Sequence, residues 1–387
     1  MAGRPGAVVV AAVAVLAACT EGGAGKYCAD GCLAWQWCDE ETGLCAETGE
    51  TTVAKADFAP SFGARMVEGK FHVAAYDRVL RRFLYGIEDD DGGLRWETMA
   101  LATGQDAGFQ PHLALVPAAS GTLIAIAEVE PGAAFKAERL NGVWTLEEMF
   151  RLDRPLTDLQ GFWSSQSGLQ VCAGDADGVL LYGESSGDLP MTVAPVEPTG
   201  SDAVATAPCR TQVYGGRRII ISAARPAGVL SITLGDDGGW EASVIAADVK
   251  AAALAFAPAE NGAVVAFLDA VSGELQYATS QEGKLTVFTA DPEALALPAA
   301  PFPPPRLSLA VGPGGGAVHL AYHDAAEGLL RVRYLAQGGT WGEVGEAALA
   351  DTFLPVVQVD AAGHAAVAGV RYPGGLSAPG TVEIFRF

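Results

Sequence analysis

The chain has 387 residues, half of them hydrophobic, with 48 glycines, 22 prolines and a formal net charge of −22. Such an acidic protein repels phosphate backbones and anionic lipid surfaces, so nucleic acid is excluded as an expected partner and surface charge does not favour docking on membranes. The hydrophobic content is enough for a large core, and the frequent glycine and proline suit many short strands joined by turns.

An apolar run over residues 7–18 follows Arg4 and ends at Cys19. The run has the length of a signal-peptide core and is too short to span a bilayer. Its last residues, Leu16-Ala17-Ala18-Cys19, resemble the lipobox of bacterial lipoproteins. That resemblance implies a signal peptide over residues 1–18 and lipidation of Cys19. The alternatives are an ordinary secretory signal with an incidental cysteine, and a transmembrane anchor.

A glycine-rich tether occupies residues 19–26, and it lacks the apolar residues that a core needs. Thr20 stands where an Asp would favour retention at the inner membrane of some bacteria. We therefore expect a cell-envelope protein at the outer membrane of a Gram-negative bacterium, attached to the membrane through its N-terminal lipid and monomeric. The leaflet it faces stays open.

Six cysteines remain besides Cys19, and an even number in an exported protein predicts disulfides. Four of them form a cysteine-rich segment over residues 27–46: Cys28, Cys32, Cys38 and Cys45. About twenty residues cannot fold by burial alone, so two bridges are expected, with three possible connectivities. Zinc is the alternative, disfavoured because the spacing lacks paired CxxC motifs and no histidine lies nearby. Trp35 and Trp37 lie in a segment too small to bury both, so they are candidates for an exposed binding contact.

From about residue 50 the sequence repeats. Apolar runs open at Pro60, Pro111, Pro208, Pro305 and Pro355, at intervals of 51, 97, 97 and 50 residues. The long intervals are double steps, so the period is about 49 residues. A second series, Trp96, Trp144, Trp240 and Trp341, follows the prolines by 32 to 36 residues. Two landmarks on one period indicate internal repetition, and these tryptophans are predicted to wedge between repeats.

Each repeat contains four short alternating segments separated by turns, which predicts one four-stranded antiparallel propeller blade. Seven units begin near residues 60, 111, 160, 208, 253, 305 and 355. We predict an all-β, seven-bladed β-propeller over residues 47–387, with few helices. The last unit supplies only three strands, the third at residues 381–387. Residues 47–55 are predicted to pair with that blade as its outer strand and so to close the ring.

The stretches PRLSLAVGPGGGAVHLAYHD at 305–324 and LLRVRYLAQGGTW at 329–341 resemble repeats of exported bacterial propellers of the sialidase (BNR) type. The resemblance implies the fold. Residues 235–240 keep only part of the Asp-box of that family. Sialidase-type hydrolysis would need an arginine triad, and Arg65, Arg210 and Arg306 lie near first strands of different blades, but no matching signature accompanies them.

The histidine side chains are the next candidates for a functional role. His72 and His319 occupy equivalent places in their repeats, which favours a packing role. His112 follows Pro111 on a first strand, so it is a candidate to face the central channel and bind a ligand. No catalytic set, metal site or cofactor motif is expected. Residues 89–91 are an acidic cluster, predicted to be a solvated hairpin tip rather than a calcium site.

Cys172 and Cys209 fall on a second strand of the third unit and a first strand of the fourth. Adjacent blades bring such positions within bridging range, so a disulfide is predicted, with two buried free thiols as the alternative.

These observations predict a non-catalytic envelope lipoprotein that binds or scaffolds through the propeller face or the cysteine-rich segment. Its partner would be a protein, a peptidoglycan fragment or a glycan. The alternative is a propeller hydrolase or lyase acting on glycans or lactones, and a third possibility is a purely structural component. An enzyme should show carboxylates, arginines or a metal converging at one channel mouth, and a binding protein a neutral or apolar mouth.

Overall fold

The computed structural model describes most of the repeat region and three short strands before it. The described ranges are 37–39, 44–46, 50–51, 57–101, 111–118, 123–140, 143–185, 190–259, 262–281, 284–291, 306–315, 317–335, 341–349, 351–373 and 379–387. The predicted signal peptide, Cys19, the tether, Cys28, Cys32 and Trp35 lie outside these ranges. Strands β1 (Trp37–Asp39) and β2 (Leu44–Ala46) pair antiparallel with Cys38 opposite Cys45. No helix among the described residues is long and apolar enough to cross a membrane.

Seven antiparallel sheets follow, and they confirm the predicted all-β, seven-bladed propeller. Blade I contains β4 (Phe58–Val67), β5 (Lys70–Asp77), β6 (Arg82–Glu88) and β7 (Leu94–Leu101); blade II contains β8 (Leu113–Pro117), β9 (Leu123–Glu130), β10 (Ala133–Leu140) and β11 (Val143–Arg151); blade III contains β12 (Leu156–Ser164), β13 (Gly168–Asp175), β14 (Leu180–Ser185) and β15 (Val193–Pro195); blade IV contains β16 (Val204–Tyr214), β17 (Arg217–Arg225), β18 (Gly228–Leu234) and β19 (Trp240–Ala247); blade V contains β20 (Ala251–Ala259), β21 (Gly262–Asp269), β22 (Leu275–Gln281) and β23 (Lys284–Asp291); blade VI contains β24 (Leu307–Val311), β25 (Val318–Asp324), β26 (Leu329–Leu335) and β27 (Trp341–Ala348); blade VII contains β28 (Thr352–Val359), β29 (Ala365–Tyr372) and β30 (Thr381–Arg386). The helical content of the described residues is one short 3-10 turn, Pro313–Gly315.

Apolar side chains are buried in seven clusters, one at each contact between neighbouring blades. Each blade therefore buries both of its faces, because side chains alternate across a strand. The cluster between blades VII and I contains Phe62, Phe71 and Tyr372, so the ring is closed by packing at this contact as at the other six.

The prediction that residues 47–55 complete blade VII is wrong, because the part of this segment that forms a strand pairs with blade I instead. Strand β3 (Glu50–Thr51) pairs with β7, the outer strand of blade I, which becomes a five-stranded sheet. Closure relies instead on the start of β4. Phe58 donates its backbone N–H to the Gly380 carbonyl at 3.0 Å, and the Tyr372 hydroxyl donates to the Phe58 carbonyl at 2.8 Å. Among the described residues, face-to-face burial and these hydrogen bonds join the two ends of the ring.

Three of the four tryptophans in the sequence series pack edge-on against a tyrosine of the preceding blade. The pairs are Trp144 on Tyr85, Trp240 on Tyr182 and Trp341 on Tyr277, with ring centroids 5.0, 5.1 and 5.2 Å apart. Edge-to-face geometry suits aromatic rings because the positive ring edge meets the negative face. The pairs occur at the I/II, III/IV and V/VI contacts, so this aromatic contact recurs at alternate blade contacts. Trp96 stacks instead on Phe58 of its own blade, with ring centroids 4.8 Å apart.

Four blades end their second strand with a buried aspartate that organises the following turn. These residues are Asp77, Asp175, Asp269 and Asp324. Their carboxylates accept backbone N–H groups of the turn; for example, the Asp324 carboxylate accepts those of Ala326 and Glu327 at 3.0 and 3.3 Å. Such side-chain acceptors satisfy turn donors that no strand partner reaches. The repeated aspartates are therefore part of the blade framework.

We expect Tyr372→Phe to weaken ring closure. It removes the only side-chain donor to the Phe58 carbonyl among the described residues and should lower the free energy of unfolding by about 1–2 kcal/mol. Urea denaturation followed by tryptophan fluorescence measures this. Tyr334→Phe, at a more exposed tyrosine, is the matched control. Equal stability of the Tyr372 variant and the wild type would contradict this account of closure.

Candidate functional site

The inner strands of the seven blades surround a central channel with two successive cavities. The larger cavity, here called the mouth, has a volume of about 490 Å³ and is lined by residues at the start of the inner strands. The smaller cavity, here called the inner chamber, has a volume of about 170 Å³ and is lined by residues in the middle of the same strands. The inner strands approach closely: a Cβ added at Gly63 would lie 2.4 Å from the backbone nitrogen of Leu115. Glycine at that position lets blades I and II meet along the channel.

Three arginines from different blades line this channel. Arg210 and Arg306 border both the mouth and the inner chamber, and Arg65 borders the inner chamber. The structure therefore brings together the three arginines that the sequence placed near first strands. Each is held by a main-chain carbonyl. Arg65 Nε donates to Leu115 O at 3.1 Å, Arg210 Nη1 to Cys209 O at 2.6 Å, and Arg306 Nη1 to Phe62 O at 2.9 Å.

Arg306 extends from blade VI to blade I. Its guanidinium carbon lies 5.0 Å from the centroid of the Phe62 ring. Burial, together with the nearby charge of Arg210, lowers the pKa of Arg306 to about 10. Burial also lowers the pKa of Arg65. Both remain cationic at neutral pH, so the channel of this strongly acidic protein concentrates positive charge.

Asp158 is the carboxylate that meets these arginines. Its Oδ2 accepts the backbone N–H of Cys209 at 2.8 Å and lies 3.3 Å from Arg210 Nη1. Cys209 forms a disulfide with Cys172, with the two Cα atoms 6.4 Å apart, so blades III and IV are covalently joined beside the channel. Because Arg210 follows Cys209 directly, the disulfide and Asp158 together hold its backbone in place.

His112 lies among the residues that line the mouth, with its Nε2 3.2 Å from the carbonyl oxygen of Leu156. The other charged residues of the mouth also have protein partners. Asp175 accepts the N–H of Val179 at 2.8 Å in its turn, and Arg225 donates to the carbonyl of Gly178 at 2.8 Å. Asp177 pairs with Arg154. Of the other sequence candidates, Trp37 lies in β1, opposite Ala46 of β2.

The remaining histidines do not assemble a site. His72 Nδ1 contacts the Tyr85 hydroxyl, and His319 is buried beside Tyr334, which agrees with the packing role expected for them. His323 Nε2 lies 2.9 Å from the carbonyl oxygen of Leu349. Within the described ranges, no group of three or more His, Cys, Asp or Glu side chains is placed to hold a metal ion.

The acidic cluster at residues 89–91 forms a hairpin tip, as predicted. Asp89 Oδ1 accepts backbone N–H groups of Asp91 and Gly93 at 3.1 and 2.8 Å. Asp90 pairs with Lys70 on the surface.

Sequence reasoning missed Asp158, Asp177 and Arg225. Asp158 is the third residue of the first strand β12, and Arg210 lies in the middle of the first strand β16. Charged residues on the first strands of several repeats are the signal that was available.

No family model matches the chain, and no curated protein matches its sequence. Several solved structures share its fold. A polysaccharide lyase described as a PL25 ulvan lyase, bound to GlcA(1-4)Rha3S, superposes with a TM-score of 0.57 at 10% identity, over 86% of this chain and 94% of that one. The polysaccharide lyase Uly1 gives a TM-score of 0.56 at 12% identity, over 87% and 91% of the two chains. BBS1N, solved in complex with ARL6DN, gives 0.54 at 11% identity, over 88% and 95%. At these identities the similarity shows the fold alone.

The buried histidines make stability depend on pH. Desolvation is the first cause that lowers the pKa of His72, His319 and His323 from the ordinary value of 6.5. The folded protein then binds fewer protons than the unfolded chain, so this stability is fully present above pH 6.5 and decreases as the pH falls below it.

We expect the unfolding midpoint to drop between pH 8 and pH 5. A His319→Gln/His323→Gln double variant should show a weaker drop over the same interval, measured by urea denaturation at each pH. His364→Gln, at an exposed side chain paired with Asp360, serves as control. An unchanged pH dependence in the double variant would show that these histidines do not cause the loss of stability at low pH.

Proposed function

We propose that this protein is a non-catalytic, lipid-anchored binding protein of the cell envelope whose ligand enters the channel mouth. The observation that carries the proposal is the mouth itself, an open cavity of about 490 Å³ with both apolar and charged walls. Ligand sites of small molecules have volumes of roughly 300–1,000 Å³ and combine apolar walls with a few placed polar groups. A saccharide-sized ligand with an acidic group facing Arg210 and Arg306 fits this description. The anchor would be Cys19, and the propeller would belong with the exported sialidase-type (BNR-like) propellers its repeats resemble.

Binding is favoured over catalysis because the carboxylates at the mouth are already engaged. Asp158 is held by Cys209 N and Arg210, and Asp175 by its own turn. A general acid or base must reach the proton it transfers, and a carboxylate that caps a turn is poorly available for that task. The arginines retain unused donors and can orient an anionic group without performing chemistry.

The second candidate is a glycan-acting lyase or hydrolase. Charged residues do converge at this mouth, the feature expected of an enzyme, and His112 lies with them. Two proteins of the same fold are described as polysaccharide lyases. Incubation with acidic polysaccharides separates the candidates: elimination creates an unsaturated, ultraviolet-absorbing product, hydrolysis creates new reducing ends, and binding alone creates neither.

Screening the full chain on an array of neutral and acidic oligosaccharides should identify ligands, and titration calorimetry should measure their affinity. Arg210→Ala should weaken binding at least tenfold, or about 1.4 kcal/mol, because it removes one of the two arginine charges that border both cavities. Arg151→Gln, on the outer strand of blade II, is the control and should bind as the wild type does. If Arg210→Ala binds equally well, the ligand does not occupy the mouth.

The membrane anchor has its own test. Intact-mass analysis of the mature protein should show cleavage before Cys19 and an added mass from acyl chains, and comparison of reduced with non-reduced samples should count the disulfides. Cleavage at another residue with no lipid would overturn the proposed localisation.

A further inference from the structure

The outer strand of blade V is unusually exposed. Strand β23 pairs on one side with β22, and no described strand pairs with its other side. Four consecutive residues in its middle are exposed: Thr286, Val287, Phe288 and Thr289. Because side chains alternate across a strand, both faces of β23 reach solvent at this edge. Two of these side chains are large and apolar, and Val287 and Phe288 are exposed to 36% and 37%.

The absence of charge distinguishes this edge from the other outer edges that the structure describes. Between its terminal residues Lys284 and Asp291, β23 contains no charged residue and no proline. The other edges carry features that hinder pairing with a second strand. Strands β11, β19, β27 and β30 contain glutamate, the three-residue β15 ends in proline, and β7 is covered by β3. In a chain of net charge −22, β23 is therefore an edge at which an incoming strand meets no carboxylate in its central six residues.

We propose that two copies of this chain pair through β23, as antiparallel strands related by a two-fold axis. The edge offers backbone N–H and C=O groups to an incoming strand, and the apolar side chains of the two copies would cover one another. A second copy fits the charges of this edge. Antiparallel pairing brings the end of β23 that carries Lys284 beside the end of the other copy that carries Asp291, and the two-fold axis repeats this match. Parallel pairing would instead bring like charges together.

The size of the edge sets the expected strength of the dimer. Strand β23 has eight residues, and stable interfaces bury roughly 1,200–2,000 Å² in total, so we expect a weak dimer that forms as the concentration rises. The monomer expected from the sequence is then the state at low concentration. The lipid anchor proposed above would favour pairing by holding copies on one surface. The mouth is lined by the start of the inner strands, so this pairing leaves it open and does not depend on its ligand.

Sedimentation velocity of the full chain in density-matched non-ionic detergent tests the dimer over a wide range of protein concentration. The wild type should shift from the mass of one chain to that of two. Val287→Lys should raise the dissociation constant at least tenfold, because the two-fold axis brings the two new lysines close together. Val143→Lys is the matched control. It places the same charge at an exposed valine on the outer strand of blade II and should dimerise as the wild type does.

Amide hydrogen exchange of the wild type gives a readout that does not depend on how a variant folds. Protection of the amides in β23 should increase with protein concentration, because pairing engages backbone groups at this edge. The amides of β11 should exchange at the same rate at every concentration.

Three results would overturn the proposal: a wild type that stays at the mass of one chain at every concentration, equal dissociation constants for Val287→Lys and Val143→Lys, or a dimer whose β23 amides gain no protection. Protection of β23 that appears only after a cell-envelope extract is added would assign the edge to a different chain, and it too would overturn pairing between copies.

Discussion

Burial of blade faces against one another is the interaction on which this structure depends. A single four-stranded sheet of this sequence has two apolar faces, and each is covered only by a neighbouring blade. Seven apolar clusters, one at each contact, satisfy that need for every blade, including the contact between blades VII and I. The inner strands are then brought close together, and the narrow channel with its arginines is a product of the same packing.

The sequence predicted this architecture well because periodicity reports the blade directly. Prolines on one period located five of the inner strands, and the two double steps in that period located the other two, near residues 160 and 253. The closing strand was predicted wrongly. Edge pairing is encoded by backbone groups that every residue carries, so residues 47–55 contain no pattern that distinguishes the edge of β30 from the edge of β7, where β3 pairs.

The candidate site, like the fold, could be predicted only in part. The location of Arg65, Arg210 and Arg306 near inner strands could be predicted from their place in each repeat. The pairing of carboxylates with arginines could not be predicted, because Asp158 and Arg210 are 52 residues apart and meet only across the III/IV contact. The width of the channel likewise depends on close contacts between backbones, such as that of Gly63 with Leu115. A sequence pattern does not show such contacts.

The alternating aromatic pairs set a limit on how regular the ring can be. Tyrosine on one blade and tryptophan on the next recur three times, at contacts I/II, III/IV and V/VI. Seven blades cannot be divided into such pairs, so one blade must lie outside the series, and blade VII, with three strands among the described residues, is that blade. At the contact between blades VII and I, a tyrosine hydroxyl and a close-fitting glycine, Gly380, take the place of the aromatic pair.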